Sequence, residues 1–166
     1  MYSVSHGCPC GYYTDPKKAC RCNPNKILNY IGKISGPLLD RIDIHIELPS
    51  VQYKELTDTR EAESSVAIKI RVEKARAIQR ERFKADRIFY NAQMSHKQVR
   101  EFCVLGKEES ELLKMAMTEL NFSARAYEKI LKVSRTIADL AGSEVILTEH
   151  ISEAIQYRSL DRQLWL

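Results

Sequence analysis

Residues 123–142 read SARAYEKILKVSRTIADLAG, and this stretch has the start, the period and the end of a long amphipathic helix. Ser123 belongs to the residue types that cap helix N-termini, and Gly142 is the type that most often ends a helix in the left-handed conformation. Between them, apolar residues recur every three or four positions, as in a buried helical stripe. The stripe consists of Ala126, Ile130, Val133, Ile137 and Leu140.

Helical patterns joined by short connections surround this stretch and predict a small bundle over residues 51–166. Ser95 and Gln98 have the spacing of a capping box, and Thr148 is placed to cap the last helix. We expect Cys103 to lie in the core. The apolar residues that mark the other helices are Val66, Ile70 and Ala77 in 61–85, Leu113, Met117 and Leu120 in 108–120, and Ile151, Ala154 and Ile155 in the last.

Upstream, a short helix is predicted over 26–34, and residues 42–48, IDIHIEL, alternate apolar and polar side chains as a strand does. No other segment has a convincing strand pattern, and a lone strand leaves its backbone groups without partners. The predicted fold is therefore mainly α: a helical bundle preceded by an orphan strand and a cysteine-rich knuckle. We expect residues 1–50 to be loosely packed.

The composition is that of a globular protein: 166 residues, 44% hydrophobic, 29% charged, with a net charge of +4. That mild excess permits contact with nucleic acid or nucleotide without requiring it. No apolar run reaches the roughly 18 residues that span a membrane, and the N-terminus lacks the pattern of a signal peptide. We expect a cytoplasmic protein with no membrane partner.

Cys8, Cys10, Cys20 and Cys22 form a C-x-C-x9-C-x-C pattern. Side chains two residues apart in an extended chain point the same way, so each pair can offer two thiolates to one ion. Four thiolates in a tetrahedron make a structural zinc site. Free thiols or two disulfides are the alternatives, and His6 is a spare candidate ligand.

Two arginines are candidate anion-binding residues. Arg41 lies between a turn and the predicted strand, where it can pair with Asp40 or Asp43 or reach a phosphate bound by a neighbouring molecule. Arg125 lies in the first turn of the helix capped by Ser123, where a cation opposes the helix dipole. A bound anion would reverse that penalty, and a solvated side chain is the alternative.

The chain resembles magnesium-chelatase-like AAA+ ATPases, and within them the bacterial branch related to competence proteins. The stretches that carry the resemblance are CPCGYY at 8–13, SGPLLDRIDIHIELP at 35–49, residues 123–142 and EAIQYRSLDR at 153–162. The resemblance is weakest over 50–95. The family usually has an Asn-Pro pair before CPCG that serves as a nucleotide sensor. Here that stretch reads Ser5-His6-Gly7, so this role is not transferred.

The resemblance implies that residues 1–50 are the end of a nucleotide-binding domain and that residues 51–166 are the helical lid. Arg41 matches the arginine finger, which acts on a neighbour's ATP, and Arg125 matches the sensor-2 arginine, which acts on nucleotide in its own protomer. It also implies a full-length protein with an N-terminal AAA+ core, ATP and Mg²⁺ as cofactors, and a ring of protomers, expected to be a hexamer. The chain itself has no G-x4-G-K-[ST] loop, so we expect no ATPase activity from it alone.

Three functions compete at this stage. The first is a motor that remodels DNA by helicase or branch-migration work, which the basic segment 69–87 favours unless it is only a solvated face. The second is the ATPase subunit of a magnesium chelatase, which the cysteine knuckle disfavours. The third is a non-enzymatic zinc and helical module that binds a protein or nucleic acid.

Overall fold

The computed structural model describes residues 6–48, 51 and 62–158, which form seven α-helices and a short 3-10 turn. The helices are α1 Pro24–Ile31, α2 Gly36–Leu39, α3 Ser65–Arg82, α4 His96–Phe102, α5 Lys107–Glu119, α6 Ala124–Ala141 and α7 Thr148–Gln156, and the 3-10 turn is Asn91–Gln93. The prediction of a mainly α fold is confirmed. Most helices begin and end within a few residues of the predicted bounds.

The strand predicted over 42–48 does not form a ladder within the described ranges, where these residues are extended but irregular. A strand needs a neighbour that accepts and donates along its whole edge. Here the His45 N–H donates to the Tyr157 carbonyl at 2.7 Å. Ile44, Ile46 and Leu48 are exposed, so most of the apolar face of the alternation is not packed in the described structure.

Helix α6 is the centre of the bundle, because α3, α4, α7 and the 3-10 turn all pack against it. Its predicted ends are confirmed. The Ser123 hydroxyl accepts a hydrogen bond from the Ala126 N–H at 3.2 Å, and Gly142 has a φ of 71°. In that left-handed conformation a glycine avoids the clash that a Cβ would cause. The Ser143 N–H then bonds back to the Ala138 carbonyl at 2.9 Å.

The predicted apolar stripe of α6 is mostly confirmed, because four of its five residues are buried or pack against the core. Leu140 is exposed, while the polar residues Ser134, Arg135 and Asp139 are buried beside Ile130. Burying polar groups is costly unless they are hydrogen-bonded, and these are. Ser134 donates to the Ile130 carbonyl at 2.8 Å, and Arg135 donates to Asp139. The apolar pattern alone therefore did not predict the polar part of this face.

The Asp139 carboxylate is the hub of a buried polar network. Arg82 donates to its two oxygens at 2.6 and 2.7 Å, Arg135 Nε donates at 3.1 Å, and Asn91 Nδ2 donates at 2.8 Å. Arg135 also donates to the carbonyls of Ser143 and Glu144, which follow α6. The network thus joins α3, the 3-10 turn and both sides of the α6 C-terminus.

Helix α3 is oriented by this network and not by its predicted stripe. Val66 and Ile70 are 68% and 54% exposed, whereas Ala75 and Gln79 are buried. Because Arg82 must reach Asp139, the face that carries residues 75, 79 and 82 turns inward. Residues 65–74 are exposed at every position, so the prediction that Val66, Ile70 and Ala77 pack inward is wrong.

The caps of the short helices are only partly as predicted. In α4, the Gln98 side chain accepts from the Ser95 N–H at 2.9 Å, which confirms the capping box. In α7, Thr148 is the first helical residue and not the cap, and its hydroxyl donates to Glu109. The His150 ring accepts the Leu147 N–H in its place, at 3.0 Å. Cys103 is buried in the core as predicted, and burial raises the pKa of its thiol to about 11.

We expect Asp139→Asn to destabilise the fold by about 3–5 kcal/mol, because it leaves the buried Arg135 and the partly buried Arg82 without a counter-charge. The free energy of unfolding, measured from urea titrations followed by circular dichroism, checks this. Asp86→Asn is the matched control, because Asp86 is exposed. Equal stability of the two variants would contradict the central role of Asp139.

Candidate functional site

The four cysteine sulfurs of the knuckle lie together. Cys8 Sγ is 3.3 Å from Cys10 Sγ and 3.7 Å from Cys20 Sγ, and Cys10 and Cys20 are 3.5 Å apart. All four sulfurs, including that of Cys22, lie within 4.8 Å of one another, and all four cysteines are free of disulfides. A tetrahedral zinc site with Zn–S bonds of about 2.3 Å needs sulfurs roughly 3.8 Å apart. The cluster therefore has nearly the dimensions of such a site.

Two turns bring the second cysteine pair back to the first. Gly11 has a φ of 79°, and its N–H donates to the Cys8 carbonyl at 3.1 Å. The Asp15 carboxylate then accepts the N–H groups of Lys17 and Lys18 at 2.7 and 3.0 Å. Gly and Asp are residue types that favour such turns, so the nine residues between the pairs are suited to reversing the chain.

The thiols of the cluster have pKa values that are shifted in opposite directions. Backbone hydrogen bonds from Tyr12 and Arg21 lower the pKa of Cys10 to about 6. A backbone hydrogen bond from Cys22 lowers the pKa of Cys20, but burial and the neighbouring thiols outweigh it and raise that pKa to about 12. Four thiolates this close repel one another without a cation, and a divalent metal removes that repulsion as the protons leave. His6 is not among the ligand atoms that converge here.

Arg41 lies in a segment that is fastened to the bundle. The Arg41 carbonyl accepts a hydrogen bond from Lys129 Nζ at 3.0 Å, and Lys129 also pairs with Asp43. The Asp40 carboxylate accepts the Ser123 hydroxyl at 3.2 Å. The backbone around Arg41 is thereby held against the N-terminal half of α6, while the Arg41 side chain is exposed.

The neighbouring carboxylates do not neutralise Arg41. Asp40 contacts Ser123 and Arg158, and Asp43 pairs with Lys129. Within the part of the chain that the structure describes, the Arg41 guanidinium has no ion-pair partner. The alternative that Arg41 only forms a surface ion pair with Asp40 or Asp43 is therefore wrong.

Arg125 lies at the same corner of the molecule. It follows the Ser123 cap by two residues, its side chain is exposed, and it too has no ion-pair partner among the described residues. The contact between Ser123 and Asp40 thus brings together two segments that each carry an exposed arginine. With Arg125 in its first turn, α6 has an N-terminus suited to an anion.

The basic segment on α3 is less available than its sequence predicts. Arg82 is committed to Asp139, Arg71 pairs with Glu63 at 3.0 Å, and Arg80 lies 3.9 Å from Glu73. The Arg76 guanidinium lies 5.1 Å from the Tyr90 ring centre. Much of the positive charge of α3 is therefore paired with groups within the chain.

Two residues that hold Arg41 were not identified from the sequence. Lys129 and Arg158 contact the 40–43 segment from 86 or more residues away. Both look like ordinary basic residues of an exposed helix face or helix end, so no spacing rule indicates them.

None of the described helices is long and apolar enough to cross a lipid bilayer.

The fold is that of a mainly α C-terminal domain that follows a cysteine knuckle. A family model of the C-terminal part of magnesium chelatase subunit ChlI matches residues 62–158, and a model of subunit ChlI matches residues 3–56. The chain belongs to the magnesium-chelatase family, in its competence-related branch.

Its relatives include the competence protein ComM of Haemophilus influenzae, which is 40% identical over 157 residues, and the YifB protein of Escherichia coli, which is 38% identical over 157 residues. A protein of Mycobacterium bovis, Mb2921c, is 28% identical over 155 residues. These matches cover 93–94% of the chain, which spans 30% of the length of each relative.

We expect the purified protein to carry about one zinc ion per chain, because four thiolates fill a tetrahedral site. Metal analysis by mass spectrometry, without zinc in the buffers, checks this. Cys20→Ser should lower the zinc content. The control Cys103→Ala should leave it unchanged, because Cys103 lies in the core away from the cluster. Metal-free protein with a protected, folded knuckle would contradict the prediction.

Proposed function

We propose that this chain supplies two arginines to the ATP-hydrolysing site of a ring-forming AAA+ motor. Its family supports an ATPase as the full-length protein. The site supports the specific roles, because Arg41 and Arg125 are exposed cations on elements that are themselves rigidly held. A cation fixed in this way can neutralise charge on a leaving phosphoryl group without a reorganisation cost in the transition state.

One observation carries this proposal: both carboxylates next to Arg41 are occupied by other partners. Asp43 pairs with Lys129, and Asp40 accepts the Ser123 hydroxyl. An arginine that only stabilised the surface would gain from those neighbours. Arg41 is left available, and the contacts that occupy its neighbours also fix its backbone.

The contact between Ser123 and Asp40 bears on how the two arginines divide their work. Arg41 follows Asp40 directly, and Arg125 is two residues beyond Ser123. We propose the division that the family resemblance implies: Arg41 acts on the ATP of a neighbouring protomer, and Arg125 acts on nucleotide bound in its own protomer. Action of both arginines on one bound nucleotide is the alternative. Rings assembled from mixtures of single variants distinguish the two arrangements.

We further propose that the motor acts on DNA. The support is the relationship to a competence protein. The cysteine knuckle also resembles that bacterial branch more than it resembles true chelatase subunits. The α3 helix adds less support, because several of its basic residues are paired within the chain. A magnesium-chelatase ATPase subunit is the second candidate, and the family match to subunit ChlI favours it.

We expect Arg41→Ala in the full-length protein to lower kcat for ATP hydrolysis by about 10³-fold, because an arginine finger stabilises charge that develops only in the transition state. The Kd for ATP should change by less than about threefold, since this interaction contributes little to the ground state. Steady-state turnover and nucleotide titration check both values. Arg100→Ala, at an exposed position on α4, is the control. A wild-type kcat for Arg41→Ala would exclude the finger role.

We expect forked DNA to stimulate ATP turnover by the full-length protein, with stimulation falling as salt is raised because phosphate contacts release counter-ions. Turnover with and without DNA, across a salt series, checks this. A magnesium protoporphyrin-forming assay is the parallel test for the second candidate. ATP turnover that is intact but indifferent to DNA would reject the DNA-remodelling role. An absence of any ATP turnover would favour a non-enzymatic binding module.

A further inference from the structure

Arg158 is a buried arginine just beyond the C-terminus of α7. Its side chain is 1% exposed, and it is the largest of the fully buried side chains in the described structure. A guanidinium removed from water is costly unless its N–H groups find acceptors. An arginine in this position therefore indicates a specific set of contacts and not a chance arrangement of a surface side chain.

One hydrogen bond and one ion pair of the Arg158 guanidinium flank Arg41 on both sides. Its Nη1 donates to the Ile42 carbonyl at 2.7 Å, and its Nη2 lies 3.9 Å from the Asp40 carboxylate. One guanidinium thus contacts the residue before Arg41 and the residue after it. A planar guanidinium offers two donors at a fixed angle for this purpose, which a lysine ammonium does not.

The neighbouring contacts complete the attachment of this segment. The Tyr157 carbonyl accepts the His45 N–H at 2.7 Å, and Lys129 Nζ donates to the Arg41 carbonyl at 3.0 Å. The backbone of residues 40–45 is therefore held from the α7 end and from the N-terminal half of α6. The Arg41 side chain, by contrast, remains exposed.

We propose that Arg158 is a positioning residue for Arg41: it holds the backbone on both sides of the finger, so that the guanidinium of Arg41 is directed in advance toward the phosphate it serves. This inference rests on the proposed role of Arg41. Its physical basis is pre-organisation, because misplacement of a catalytic group by about 1 Å can lower a rate by about 10²-fold.

Amide hydrogen exchange of the full-length protein tests whether Arg158 holds the segment. In Arg158→Gln, the amides of residues 42–46 should exchange at least about tenfold faster. The Arg158 contacts are already absent in this variant, so the free energy of local opening is lower. The amides of α6 should be unchanged. Arg158→Lys should give an intermediate rate, and the exposed Arg100→Gln should match wild type. Unchanged exchange at 42–46 in Arg158→Gln would overturn the proposal.

Kinetics distinguish a positioning role from a purely structural one. Arg158→Gln should lower kcat for ATP about 10–100-fold with KM changed by less than about threefold, because only the transition-state contact of Arg41 is lost. The double variant Arg41→Ala/Arg158→Gln should be no slower than Arg41→Ala alone, since both changes remove the same interaction. Additive losses, or a wild-type kcat in Arg158→Gln, would overturn the proposal.

Asp40→Asn is the second route to the same result if Arg158→Gln does not fold. This change removes the charge of the partly exposed Asp40, which weakens its ion pair with Arg158. It should reproduce the faster exchange and the lower kcat in milder form. A wild-type rate for Arg41→Ala marks a failure of the proposed finger role, and the positioning role falls with it. Wild-type exchange at 42–46 in folded Asp40→Asn and Arg158→Lys, with Arg41→Ala still impaired, overturns the positioning role alone.

Discussion

The buried Asp139 carboxylate is the interaction on which the bundle depends. It accepts hydrogen bonds from Arg82, Arg135 and Asn91, which belong to different parts of the chain. One carboxylate cannot accept from every N–H group of two guanidinium groups. The remaining Arg135 N–H groups donate to the carbonyls that follow α6. Removing one partner of such a network is far more costly than never building it, because the remaining charges stay buried. The orientation of α3 and the end of α6 follow from this geometry.

The same helix that is anchored by Asp139 presents the candidate site at its other end. Ser123 caps α6, Arg125 and Lys129 lie in its first two turns, and all three contact or adjoin the segment that carries Arg41. A site supported by a packed helix is positioned more accurately than one on an isolated loop. The segment 40–45 has no regular structure of its own, so its order is supplied by α6 and by the end of α7.

The cysteine knuckle is a second, separately organised part of the molecule. Its four sulfurs come from a stretch of 15 residues, and local turns are sufficient to bring them together. Few contacts with the bundle are therefore needed to position the cysteines, whereas Arg41 depends on such contacts. Cys8 is nonetheless buried at 1% exposure, so the knuckle has an interior of its own. A metal would replace the hydrophobic core that so short a segment cannot build.

The sequence by itself determined the helices, the caps of α4 and α6, the Gly142 terminus, and the proximity of the four cysteines. These features depend on residues close together in the chain, where spacing and residue type set the outcome. Tertiary structure alone decided which face of α3 is buried, which polar residues of α6 are buried, why residues 42–48 form no ladder, and how Arg41 is held. Those outcomes depend on pairs such as Arg82 with Asp139 and Arg158 with Ile42, which are 57 and 116 residues apart. Polar contacts over such separations leave no periodic pattern, because each needs only one suitable residue at each end.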